Sequence, residues 1–219
     1  MDRRPRRLPP VPEPALMAFA LPEGLAPEVY PLAWLVGRWH GEGVVGYPGI
    51  EERAFTQDVV FDHDGGPYLR YETTIRLVHV PDDAAALEDG AGPVAADDEQ
   101  GEVWSTETGY WRVPPERPEG IADDKHPVEV LLADPSGHVS VLVGEIGNGR
   151  IDLASDLVAR VPSGADVTAS KRLYGLVHGD LMWAHDLAAF GNPMQSYASA
   201  RLVRADGAAP TAADDEPQE

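Results

Sequence analysis

Residues Gly41 to Gly46 read G-E-G-V-V-G, the G-x-G-x-x-G spacing with which a loop brings backbone amides against a dinucleotide pyrophosphate. That chemistry needs a strand before the glycines and a helix after them, with the helix N-terminus facing the phosphates. Here Y-P-G-I-E-E-R-A-F follows. Pro48 and Gly49 oppose a helix there, and the chain then alternates as a strand does. No βαβ unit surrounds the match. The same stretch carries a second pattern, Gly37, Trp39, Gly41 and Gly43, spaced by two. In a strand these four share a face. The Trp fills space, and the glycines admit a sharp bend or the close approach of another group. The expectation is the first strand of a barrel, with Trp39 plugging its narrow end.

Histidines are the other residues able to ligate a metal or move a proton: His40, His63, His79, His126, His138, His178 and His185. No pair has the spacing of a zinc site. His63, His138 and His178 fall in turn-like stretches and His79 ends a strand, so solvated rings are expected at all four. His126 precedes Pro127 in a polar connection. His40 takes the strand face opposite Trp39. His185, in M-W-A-H-D-L-A-A-F, shares a face with Trp183 and Leu187, and a partly buried, hydrogen-bonded ring is expected. The chain has no cysteine, which excludes disulfides, thiolate metal sites and cysteine nucleophiles. No G-x-S-x-G nucleophile elbow occurs. With 37 acidic residues, neighbouring carboxylates arise by chance, and spacing alone assembles no nucleophile, base and orienting group.

The elements that must position these residues are strands. Ten segments alternate or carry β-branched runs, from G-R-W-H-G-E-G-V-V-G-Y to Q-S-Y-A-S-A-R-L-V-R, with Gly, Pro, Asp or Asn at many of their borders. D-H-D-G-G, D-P-S-G, I-G-N-G and V-H-G-D read as hairpin turns. Ten strands in succession without crossover helices predict an all-β fold, a ten-stranded antiparallel up-and-down barrel. One short helix is expected in A-P-E-V-Y-P-L-A-W-L-V-G, starting at Pro27 and Glu28, with Leu32, Leu35 and Val36 on one face. The 219 residues suit one domain. Residues 1–25 are expected as a flexible arm rather than a signal peptide, 26–205 as the barrel, and 206–219 as an acidic disordered tail. Residues 81–101 form a long acidic, Ala/Gly-rich connection, expected as a solvated insertion.

The formal net charge is −20. Such a surface repels nucleic acids and anionic membranes, which need a basic face, and no apolar run approaches the ~20 residues of a membrane helix. The expected setting is cytoplasmic, with neither a nucleic-acid nor a membrane partner.

G-x-W-x-G-x-G on the first strand, preceded by P-L-A-W-L-V-G and followed by Y-P-G-I-E-E, resembles the nitrobindins, small haem-binding β-barrels. F-D-H-D-G-G-P-Y-L-R-Y-E, S-T-E-T-G-Y-W-R-V-P and V-E-V-L-L-A-D-P-S-G-H-V-S-V-L-V-G-E-I are similar to successive segments of that family. D-L-A-A-F-G-N-P-M-Q-S-Y-A-S-A-R-L-V-R resembles its closing hairpin. The resemblance runs from about Pro31 to Arg204, with residues 81–101 as an insertion.

The resemblance implies a barrel for ferric haem b that binds nitric oxide or isomerises peroxynitrite to nitrate, with a histidine on the last strand as iron ligand. In this chain Tyr197 stands where that histidine is expected. Gly49 stands where the family has a small hydroxyl residue, and Lys171 where it has a basic residue near the haem. A phenolate can ligate haem iron, but a free Tyr has a pKa of ~10 and needs iron or a nearby cation to lose its proton. Arg201, on the same expected face, lies roughly 13 Å along the strand. The expectation is therefore a nitrobindin-like barrel without ferric haem, holding a small hydrophobic ligand and not acting as an enzyme. The alternative is a haem b protein with peroxynitrite isomerase activity that uses Tyr197 or His185 as ligand. A third reading is an interaction module acting through residues 81–101. Glu107 and Thr108, matched by the family, are expected to secure a strand end.

Overall fold

The structure, a computed structural model, describes residues 21–78 and 101–205. The expected arm up to residue 20, His79, the 81–101 insertion except Gly101, and the tail 206–219 lie outside the described residues. Ten strands follow in order: β1 (Gly37–Tyr47), β2 (Ile50–Asp62), β3 (Leu69–Leu77), β4 (Glu102–Arg112), β5 (His126–Asp134), β6 (His138–Gly147), β7 (Arg150–Arg160), β8 (Val167–Val177), β9 (Asp180–Ala189) and β10 (Gln195–Arg204). Each pairs antiparallel with its sequence neighbour, and β1 pairs with β10, so the sheet closes into an up-and-down barrel. Closure leaves no unpaired edge.

Turn chemistry drives this meander. Asn148 and Gly149 both have positive φ (52° and 69°), as do His178 and Gly179 (53° and 93°). Two such residues in succession make the tight turn whose twist matches the flanking strands. The burial of β3 alternates strictly from Leu69 through Tyr71, Thr73 and Ile75 to Leu77, with these side chains inside. His126 belongs to this framework too. It opens β5 rather than lying in an irregular connection, because Pro127 pairs with Glu145 at the start of a strand, where a missing N–H is tolerated.

The short helix spans Pro27–Leu35 and is a 3₁₀ helix with Pro31 inside it. Its buried stripe is Val29, Leu32 and Leu35, each fully covered. That is a period of three, as three residues per turn requires. Val36, expected on the same face, lies beyond the end in extended backbone (φ −56°, ψ 128°). The helix seals one end of the barrel. Trp39 is 1% exposed, and its indole N–H donates to Leu35 O (2.7 Å). The Arg204 guanidinium stacks 4.3 Å from the centre of the Trp39 ring and donates to Trp34 O (2.6 Å) and Val36 O (2.7 Å). Leu25 and Ala26 also join the core, so the cap begins just inside the stretch expected as arm. Trp39 thus stands at a closed end made by the first turn of chain and the last residue of β10. β1, β3, β5, β7 and β9 run away from it, and the turns after them lie at the opposite end.

Candidate functional site

A cavity of about 450 Å³ lies inside the barrel and opens at the end away from the helix. Val45, Val59, Phe61, Ile75, Leu181 and Leu187 contribute apolar wall, and Ile50, Pro135 and Phe190 mark the turns around its mouth. A mostly apolar chamber with a few polar groups is the usual form of a small-molecule site, and the volume is within the ordinary range.

The polar groups come from four strands. Arg172 on β8 pairs in register with His185 on β9, and His185 lies opposite Ala198 on β10. Facing this row, Glu107 on β4 takes both ends of the Arg172 guanidinium, at 2.7 Å and 2.5 Å. The pair is only 10% and 18% exposed, so it is an interior ion pair with fork geometry. Burial opposes the Arg172 charge, but the Glu107 carboxylate outweighs it and holds the guanidinium well above its ordinary pKa. The Arg172 Nε has no partner among the described residues. Glu107 therefore lies inside the barrel in mid-strand and does not secure a strand end. Its partner is 65 residues away on a non-adjacent strand.

His185 is half-buried, and its Nε2 is covered and without a partner among the described residues. This corrects the expectation of a hydrogen-bonded ring. Burial, and secondarily the Arg172 charge, push its pKa well below the ordinary histidine value, because neither favours a second positive charge. The ring is neutral at pH 7.

Tyr197 owes its position to a β-bulge. The β10–β9 register slips between Ser196 and Ala198, which leaves Tyr197 as the extra residue. Strict alternation would put either Tyr197 or Ala198 inside; the bulge sends both to the cavity wall, as bulges re-aim side chains. A second bulge, between Ile75 and Arg76 opposite β4, leaves Trp104 unmatched. The two bulge residues meet: the Trp104 indole N–H donates to the Tyr197 hydroxyl (2.9 Å). The Tyr197 ring stands edge-on to His185 (5.5 Å, 88°) and to Tyr47 (6.2 Å, 75°). Burial raises the Tyr197 pKa, while the Trp104 bond works the other way. Arg201, expected on the Tyr197 face, is exposed and bonded to Asp180 (2.7 Å), because the bulge shifts the parity between them.

A neutral hydrogen-bond chain lines another wall. The Trp183 indole donates to Gln57 Oε1 (2.8 Å) and the Gln57 amide donates to Thr73 Oγ1 (2.9 Å). Thr73 in turn donates to Asp58 O (2.8 Å). At the mouth, His138 is buried at 6% exposure, not solvated. Its Nε2 donates to Ala165 O (2.7 Å), and its Nδ1 lies 3.0 Å from Ser136 Oγ. This ties the β5–β6 turn to the β7–β8 turn. His63 is half-buried with a covered Nδ1. His178 is exposed at its turn.

Gly37, Trp39, Gly41 and Gly43 occupy alternate positions of β1. A Cβ on Gly41 would lie 2.2 Å from Arg201 O, and one on Gly43 would lie 2.3 Å from the Phe55 ring. These glycines thus allow close approach of β10 and room for Phe55, which stacks on Trp183 (6.2 Å). None of the four lines the cavity. Gly49 sits at the exposed tip of the β1–β2 turn with φ 87°. Lys171 is exposed and does not line the cavity; its neighbour Arg172 does. The basic pair was visible in T-A-S-K-R-L-Y, and the parity shared with Ser170 and Tyr174 was the signal that could have chosen Arg172. Nothing local pointed to Trp104, since a bulge has no residue signature here.

The family described as "THAP4-like, heme-binding beta-barrel domain" matches residues 28–204. A protein named "Ferric nitrobindin-like protein" from Beutenbergia cavernae is 49% identical over 213 residues, covering 86% of this chain and 99% of the relative. A "Peroxynitrite isomerase" from Nocardioides sp. is 39% identical over 188 residues, covering 86% of this chain and 99% of the relative. Among solved structures, Rv2717c from M. tuberculosis superposes with a TM-score of 0.63 at 30% identity, covering 82% of this chain and 98% of that one.

Proposed function

This chain belongs to the nitrobindin family of heme-binding β-barrel domains, and from that premise we propose that it is a member whose hold on ferric haem is lost or greatly weakened, and whose cavity takes a small hydrophobic ligand instead. Tyr197 carries this reading. A ferric axial ligand at that position has to be a phenolate. Burial raises the Tyr197 pKa, its hydroxyl oxygen already accepts the Trp104 indole N–H, and Arg201 is turned outward to Asp180. The donor set at this position does not fit an iron ligand. The apolar chamber around it remains a binding site for a molecule that needs no metal bond.

One observation favours a second reading. His185 offers a neutral ring with a covered, unpartnered Nε2, the form of imidazole that binds metals. In that case the protein is a ferric haem b protein with the peroxynitrite isomerase activity named for its relatives.

Haem titration separates the two. Full-length protein is mixed with ferric haem, passed through gel filtration and read in the visible. The expected result is no stoichiometric Soret band in the protein fraction, and such a band after Tyr197→His. A band in the native protein that His185→Phe removes would establish the second reading. A native band indifferent to His185 would point to Tyr197 as ligand and would overturn the first.

A further inference from the structure

Resting on the small-ligand reading above, the charge and hydrogen-bond inventory of the cavity narrows the class of ligand. Among the described residues, Arg172 and Glu107 are the charged pair deep in the cavity wall, and they are paired by two bonds. Their charges cancel, so a charged ligand entering beside them is left without a counter-ion in an apolar chamber, which is costly. Asp134 at the mouth takes the Ser136 backbone N–H (2.8 Å), and the whole chain carries −20; both oppose an anion further.

Two nitrogens at this wall, Arg172 Nε and His185 Nε2, are without partners among the described residues but are covered by neighbouring atoms, so neither is presented to the cavity. The Tyr197 oxygen receives the Trp104 N–H, which leaves its own O–H to donate. By contrast, Gln57 Oε1 already accepts from Trp183 and both Glu107 oxygens accept from Arg172. Buried donors without acceptors are unfavourable, and a bound molecule that satisfies them gains affinity. The aromatic rings of Trp104, Trp183, Tyr197 and Phe61 among the lining residues suit a flat partner, since rings pack edge-to-face or offset.

We propose that the cavity binds an uncharged, flat apolar molecule bearing a carbonyl oxygen, an aryl ketone or quinone in class, with Tyr197 as the donor to that oxygen.

Three naphthalene probes of the same skeleton test this by calorimetric titration into the full-length protein: naphthalene, 2-acetonaphthone and 2-naphthoate. The ketone is expected to bind about tenfold tighter than the hydrocarbon, the effect of one satisfied donor, and at least tenfold tighter than the carboxylate. Tyr197→Phe is expected to weaken the ketone about fivefold and leave naphthalene unchanged. Glu107→Gln leaves Arg172 as an uncompensated cation and is expected to bring naphthoate to first rank. Tyr197→Phe, a change of one hydroxyl, keeps the test decisive if Glu107→Gln fails to fold. Ketone and hydrocarbon within twofold of each other would overturn the carbonyl inference but leave a hydrophobic-ligand barrel standing. Naphthoate tightest in the native protein would overturn the neutrality of the ligand. No binding of any probe would overturn this inference together with the reading beneath it.

Discussion

The two halves of the barrel use the same residue types for opposite purposes. At the helix end, Trp39 is covered and its N–H is bonded to Leu35 O, and Arg204 spends its guanidinium on two carbonyls and the Trp39 face. Toward the other end, Trp104 and Trp183 line a cavity, and Arg172 is locked to Glu107 with its Nε unpartnered among the described residues. The helix end bonds Trp39 and Arg204 through residues near each other in the chain or at its two ends, while the Trp111 indole nitrogen and His63 Nδ1 there have no partner among the described residues. The other lines a cavity with the Tyr197 hydroxyl and keeps Arg172 Nε and His185 Nε2 covered and without partners among the described residues. Packing at the plug is expected to carry more of the stability than the cavity end, where the proposed ligand binds.

Five single substitutions and one double variant break or sharpen that division. Trp39→Ala should cost about 3–5 kcal/mol in urea unfolding, since it removes a fully buried ring. A loss under about 1 kcal/mol would show that the plug is not the stabilising half. Glu107→Ala should cost about 3 kcal/mol, the low end for orphaning a buried charge, because Glu107 keeps 18% exposure. The double change Glu107→Leu with Arg172→Met should restore most of that loss, and failure to do so would mean that the pair adds net stability to the cavity half.

His185 makes that half sensitive to pH. Its folded pKa lies well below the unfolded value of about 6.5. The folded state therefore binds fewer protons, and stability present above that pH is lost as pH falls below it, at up to about 1.4 kcal/mol per unit. Compared with native protein, His185→Phe should show a shallower decline between pH 6.5 and 5 in chemical denaturation. Parallel profiles would mean that the ring accepts a proton in place. Arg204→Met should cost about 1 kcal/mol by the same assay, the net worth of its carbonyl bonds and ring contact. Smallest of all, Tyr197→His should stay within about 1 kcal/mol of native stability while changing haem retention. A large loss there would make the bulge residue a structural element rather than a ligand position.

Much of the scaffold was legible before folding. The turn residues of I-G-N-G and V-H-G-D demand positive φ, and the structure has it at both. The glycine and tryptophan alternation of β1 followed from strand geometry alone. The helix was legible as an element but not in kind: Leu32 and Leu35 were read at an α spacing with Val36, whereas Pro31 and the short cap favour the three-residue period through Val29. The site was far less legible. His138 read as a solvated turn residue, and only the packing of β7–β8 against it supplies the Ala165 carbonyl that allows its burial.

What the sequence determined by itself was local and periodic: ten alternating segments, their tight turns, an apolar cap, and a tyrosine at a place where the family resemblance puts a histidine. Backbone sterics and burial of one strand face act over a few residues, so they can be read from neighbours. Tertiary structure alone decided which polar groups meet. Barrel closure brought Arg172 to Glu107 across 65 positions and Trp104 to Tyr197 across 93. Two one-residue bulges chose which side of the wall each aromatic ring would face. A bulge reverses parity without changing composition, and an ion pair across a barrel leaves no spacing to find.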